Sequence, residues 1–148
     1  MENRPKIKIG GREIPLKYSV YENIAIQREL GCTGSEIREK VFGIRKVEDD
    51  EKNEPDYVFD IVKDGELQLK FGTLIKILGN AGLEEEGKEQ DLDEKWILRN
   101  MKPAELILYV MGVWAVVNEA YSMENAKKQD GPVDETLEEE NAKKQPGN

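Results

Sequence analysis

The side chains able to do chemistry are few in kind. The chain holds 31 acids and one cysteine, Cys32, and no histidine. It therefore lacks the commonest general base and the commonest metal ligand. Without an imidazole, a Cys-His nucleophile is excluded. Cys32 follows a helix stop and precedes a helix start, a place where a thiol pKa can fall; the other reading is a packing residue. A zinc site of any usual kind needs several Cys or His. Carboxylates remain. Asp49-Asp50-Glu51 and Glu84-Glu85-Glu86 are contiguous runs in segments without periodicity, whereas paired-acid catalysis needs fixed geometry and separated pKa values. Neither run alternates like the Asp-x-Asp-x-Asp-Gly calcium loop. Gly10-Gly11 lacks the Gly-Lys-Ser/Thr of a phosphate loop. The expectation is a protein that is not an enzyme and uses no cofactor or metal.

Charge narrows the partners. With a net charge of -9 over 148 residues, the chain has no surplus of cations for a nucleic-acid backbone or an anionic membrane. The charge is unevenly placed. Residues 1–20 carry Arg4, Lys6, Lys8, Arg12 and Lys17 against Glu2 and Glu13, a net of +3. Residues 47–56 hold six acids and one lysine, and residues 84–94 hold seven acids and one lysine. Two readings stand. The runs are solvated surface, or Lys6, Lys8 and Arg12 meet an acidic loop of another copy and build a homo-oligomer. A single cysteine leaves no intramolecular disulfide, which fits a reducing cytoplasm. Met1-Glu2-Asn3-Arg4 has no apolar signal core, so no signal peptide is expected. The longest apolar stretch, Leu106 to Val117, is too short for a membrane span.

These residues need elements to hold them. Lys6-Ile7-Lys8-Ile9 and Glu13-Ile14-Pro15-Leu16-Lys17-Tyr18 alternate with the period of a half-buried strand. The Gly-Gly between them suits a two-residue hairpin loop, since both positions can take positive φ. Ser19-x-x-Glu22 and Thr33-x-x-Glu36 are capping boxes, with Gly31 and Gly43 as the matching stops. They predict a helix over 20–30, with Tyr21, Ile24 and Leu30 facing inward, and a short one over 35–42 carrying Ile37 and Val41. Residues 45–55 read as a loop. Residues 56–71 fit either a hairpin about Asp64-Gly65 or, slightly better, a helix over 56–63 stopped there. A helix follows over 69–78, with Phe71, Leu74, Ile75 and Leu78 on one face and Gly79 and Gly82 as stops.

After the second acidic loop, Asp91 or Asp93 caps a helix with Trp96, Ile97, Leu98 and Met101. Pro103 opens the last helix, to about Met123. Leu106, Ile107, Val110, Met111, Val113, Trp114 and Val117 make it apolar over more than a narrow stripe. Such a helix is either the central core helix or buries a second face in a partner. On the second reading the partner-binding residues are Leu106, Val110, Met111, Val113, Trp114 and Val117. The expected fold is α+β and mostly α: an N-terminal β-hairpin, about five to six helices over 1–123, and a disordered acidic tail over 124–148. Glu124-Asn125-Ala126-Lys127-Lys128-Gln129 recurs in the tail as Glu140 to Gln145, and its composition has too little apolar surface to offset ordering.

In order, these motifs resemble the tail assembly chaperones of long-tailed bacteriophages and prophages. Ile9-Gly10-Gly11-Arg12-Glu13-Ile14-Pro15-Leu16-Lys17-Tyr18, leading to a helix ending in Glu29-Leu30-Gly31-Cys32, is similar to that family's hairpin and first helix. Leu74 to Leu83 looks like its "L-x-x-L-x-x-A-G-L" helix end, and Trp96 to Met101 with Lys102 to Leu106 resembles its next two helices. The resemblance covers roughly residues 6–120, with a less typical insert at 45–67. It implies a non-catalytic protein that binds the tape-measure protein, keeps it soluble and promotes tail-tube assembly. It implies a self-associating protein in the bacterial host cytoplasm that is absent from the mature virion. It also implies a longer, frameshifted form that recruits the tail-tube protein. The alternative is a cytoplasmic protein-protein adaptor or regulatory domain unrelated to phage.

Overall fold

A computed structural model describes residues 5–48, 51 and 55–123. The expected disordered tail with its repeat, the Asp49-Asp50 pair, Glu2 and Arg4 lie outside the described residues. The alternating N-terminal segments form β1 (Lys6–Ile9) and β2 (Arg12–Pro15), antiparallel, with Ile7 opposite Ile14. Gly10 and Gly11 take φ of 58° and 80°, the paired positive values that match the twist of a tight hairpin. Ile7, Ile9 and Ile14 turn into the core, while Lys6 and Lys8 stay outside.

Ser19 and Glu22 form the expected capping box, and helix α1 runs Val20–Leu30 to a left-handed Gly31. Its inward face differs from the expected one. Glu22 and Ile26 are buried, whereas Tyr21 and Ile24 are 78% and 43% exposed and Leu30 is half-buried. The cap sets this phase. The Glu22 carboxylate accepts from the Ser19 backbone N–H at 2.8 Å, so the glutamate lies against the body, and Ile26 follows it four residues later on the same face.

Thr33 and Glu36 form the second capping box, opening a 3-10 turn over Gly34–Glu36 and a one-turn α2 at Ile37–Lys40. Ile37, Val41 and Phe42 are fully buried. The next two segments correct the sequence pattern. Ile44–Val47 is a strand, β3, not loop, and Asp56–Phe59 is its antiparallel partner, β4, not the start of a helix. Neither reading of 56–71 found this pairing, because the partner lies before the acidic loop. A 3-10 turn over Asp60–Val62 then leads to Asp64, whose side chain caps α3 (Gly65–Glu85).

Helix α3 passes straight through Gly79 and Gly82, the expected stops. A Cβ at Gly79 would lie 2.6 Å from Leu92, and one at Gly82 would lie 2.2 Å from the Pro15 carbonyl oxygen. These glycines let the backbone of β2 lie directly on the helix, where the Lys17 N–H donates to the Leu78 carbonyl at 3.1 Å. Asp93 caps α4 (Glu94–Arg99), and a 3-10 turn over Pro103–Glu105 starts α5 (Leu106–Ala120).

The fold is α+β and mostly helical, with an N-terminal hairpin, a second hairpin and five helices among the described residues. The described residues up to Val117 form one compact unit. Its core gathers Ile9, Ile14, Ile26, Phe42, Phe71 and Val113 with their neighbours. Among the described residues no helix is long and apolar enough to cross a membrane.

Candidate functional site

Helix α5 spends its breadth inward. Leu106, Val110, Val113 and Val117 are buried, together with Tyr109 and Val116. Trp114 is half-buried and packs edge-on to Phe42, ring centroids 6.0 Å apart. Of the six residues assigned to a partner, only Met111 is exposed, at 49%. The broad apolar face meets core on more than one side: Ile7 of β1 lies against Gly112, and Phe42 packs on Trp114. Leu108, which the sequence pattern passes over, is 69% exposed.

With Ile7 of β1, α5 lines one concavity through Leu108, Tyr109 and Gly112, beside Lys6, Lys8 and Glu105; a concavity with one charged residue among its described lining lies elsewhere. Val62 of the 3-10 turn and Leu69 of α3 make one wall. Leu98 of α4, Met101 and Pro103 of the connector and the edge of Leu106 make the other. Local chemistry fixes both walls. The Asp64 cap starts α3 immediately after Val62, and the Gln68 amide ties the turn to the helix by donating to the Ile61 carbonyl at 2.8 Å and the Val62 carbonyl at 3.3 Å. Opposite, Leu98 rests on Gly72, where a Cβ would come within 3.0 Å of it. The groove encloses about 230 Å³, less than the roughly 300–1,000 Å³ of small-molecule sites. Its scale is that of one or two protein side chains. Lys102 is the sole charged residue lining it.

Sequence reasoning missed this groove, although one signal was present. Trp96, Ile97, Leu98 and Met101 are more apolar residues than a six-residue helix can bury, and only Ile97 is fully buried.

The cations assigned to self-association are largely engaged within the chain. Arg12 donates to Asp91 at 2.7 Å and lies over the Trp96 ring at 5.8 Å. Lys6 stands 4.0 Å from Glu13 across its own hairpin, and Lys8 is exposed. The neighbouring Lys17 pairs with Glu85. The basic hairpin thus meets the second acidic segment of the same molecule.

The titratable groups are tuned by structural partners. Burial pushes the Cys32 thiol up, and the nearby Glu36 pushes it further; the side chain belongs to the core cluster. Hydrogen bonds from Thr33 hold Glu36 below the usual carboxylate range. Arg12 lowers Asp91, Arg45 lowers Asp60, and Lys76 lowers Glu94. The Lys76 ammonium, 2.9 Å from Glu94 and 3.7 Å from Glu29, is raised in turn. Each lowered carboxyl has a cation or a cap as its cause, which differs from two carboxyls splitting one another's pKa values. Among the described residues no three His, Cys, Asp or Glu side chains converge as a metal site would require.

No family model matches the sequence, and neither a curated protein nor a solved structure is significantly similar to it.

Proposed function

We propose that the chain is a tail assembly chaperone of a long-tailed bacteriophage or prophage. In this reading it is a non-catalytic, cytoplasmic protein that binds the tape-measure protein and keeps it soluble while tail-tube subunits assemble. A longer frameshifted form would recruit the tube protein, and neither form would enter the mature virion. The observation that carries the reading is the order of motifs along residues 6–120, from the Gly10-Gly11 hairpin through Leu74–Leu83 to Lys102–Leu106. Two physical features support it. A holdase must cover a client's apolar stripe, and the groove between α3 and α4 presents apolar side chains to solvent. The net charge of -9 would keep a client complex soluble.

One observation favours the adaptor reading. Arg12 pairs with Asp91 and Lys6 stands near Glu13, so two of the three cations assigned to joining copies have a partner within the chain, while Lys8 is exposed. A groove that holds one or two side chains suits one-to-one binding. Co-expression with the tape-measure protein of the same genome separates the two. The chaperone reading expects a soluble client that co-purifies with this chain. A client that stays insoluble with both the short and the frameshifted forms overturns it.

A further inference from the structure

The groove between the Val62 turn, α3 and α4 is specific enough to define what fills it. Its described walls are the Val62 turn, α3, α4, the Met101-Lys102 connector, and the Pro103 turn with the start of α5, and no strand lies among them. A peptide that joins as a strand needs an unpaired strand edge, and a polyproline segment needs an aromatic-lined groove; the lining residues supply neither. The one amide in the wall, that of Gln68, already donates to the Ile61 and Val62 carbonyls. An occupant must therefore arrive with its own backbone satisfied, which a helix does. The volume admits one or two side chains, so a helix seats one or two of its i, i+3, i+4 and i+7 anchors here. Met101, unbranched and adaptable, suits a wall that accepts more than one aliphatic shape.

Charge sets the flank of that helix. Lys102 is the sole charged lining residue in a chain of net charge -9. Two nearby acids are turned to their own tasks: Asp64 accepts from the backbone N–H groups of Glu66 and Leu67, and Glu105 accepts from the Tyr109 hydroxyl at 3.0 Å. Among the residues that line the groove, no carboxylate answers Lys102.

We infer that this groove binds an amphipathic helical segment of a partner protein, seating its aliphatic ridge between Leu69 and Leu98 and pairing a flanking carboxylate with Lys102. The inference deepens the chaperone reading, in which the tape-measure protein supplies the helix, but the groove's preference can be tested without it.

The test titrates the full chain with two helical peptides of about 18 residues, each with leucines at i, i+3, i+4 and i+7. They differ only in carrying Glu or Lys beside the stripe. At low salt the Glu peptide is expected to bind about three- to fivefold more tightly, the worth of an exposed ion pair. Lys102→Glu should reverse the order, and Leu69→Asp, at a side chain 56% exposed, should abolish binding of both without unfolding the chain. Failure of either peptide to bind, equal binding to wild type and Lys102→Glu, or undiminished binding to Leu69→Asp each overturns the inference. So does a lower native mass of Leu69→Asp alone, since a second copy would then fill the groove. Co-expression with the tape-measure protein keeps the two readings apart. If wild type and Leu69→Asp both keep the client soluble, the groove assignment falls and the chaperone reading stands. If wild type fails and the peptides bind, the chaperone reading falls and the groove assignment stands.

Discussion

The two hairpins have the same secondary structure and opposite roles. Each pairs two four-residue strands antiparallel. In the first, three isoleucines enter the core and β2 lies against α3 at Gly82. In the second, only Ile44 is buried, and the strands are held outside by Arg45, which donates to Asp60 at 2.8 Å, and by Arg38 stacked 5.6 Å from the Tyr57 ring. Strand pairing alone does not make a sheet part of a core; the apolar residues on one face do. Local stability follows buried contacts, so backbone amides of β3 and β4 should exchange with solvent faster than those of β1 and β2.

Ile14→Ala would break the comparison most severely. Ile14 is fully buried, and the loss should be about 3–4 kcal/mol in denaturant unfolding. Val47→Ala, at a half-buried β3 position, should cost less than about 1 kcal/mol. Similar costs at the two sites would show that the hairpins do not differ as described. Gly82→Ala comes next. Its methyl would strike the Pro15 carbonyl, so overpacking of about 2–3 kcal/mol should outweigh the better helix propensity of alanine. A melting temperature at or above wild type would contradict the close approach.

Arg12→Ala should have a smaller effect, since its pair with Asp91 is half-exposed and such pairs contribute little and are screened by salt. The expected result is a slight drop in melting temperature at low salt that vanishes at high salt. The smallest effect is that of acid. Asp91 and Asp60 both have lowered pKa values, each through a hydrogen bond from its arginine. A lowered carboxyl contributes stability above its ordinary pKa and loses it as pH falls through the lowered one, here below about pH 4. Since Arg12 also covers Trp96, a Trp114→Phe variant should report loosening of the Arg12 side chain as a change in Trp96 emission in that range. A flat signal down to pH 2 would contradict the coupling.

The parts legible in the sequence are those where local chemistry and burial agree. Gly10-Gly11, the two capping boxes and Pro103 specify turns and helix starts through their own side chains or φ angles, as expected, and of the two candidate caps Asp91 and Asp93 it is Asp93 that caps α4. The misread parts depend on distant partners. Gly79 and Gly82 resemble stops because a helix has no local use for glycine; their use is contact with Leu92 and β2. Val20, Tyr21, Ile24, Ala25 and Ile26 surround α1 with apolar residues, so periodicity could not choose the face that the Glu22 cap chooses. Arg45-Lys46 and Asp56-Tyr57 hide the second hairpin because exposed strands need no apolar alternation. The groove is built from the ends of three elements and a connector, and no single period contains it.

The seat of β2 on Gly82 also bears on how the chain is made. The β1–β2 hairpin leaves the ribosome before α3, so the surface that buries Ile14 and receives Pro15 is not complete until α3 has been synthesised. At about 5–20 residues per second the wait is several seconds. Throughout it the isoleucines of β1 and β2 lack their cover, and an isolated two-stranded hairpin is at best marginal in water. Docking then closes a long loop and carries the entropic delay of non-local pairing. The hairpin is made well before the helix that secures it, and its isoleucines are open to aggregation in that interval.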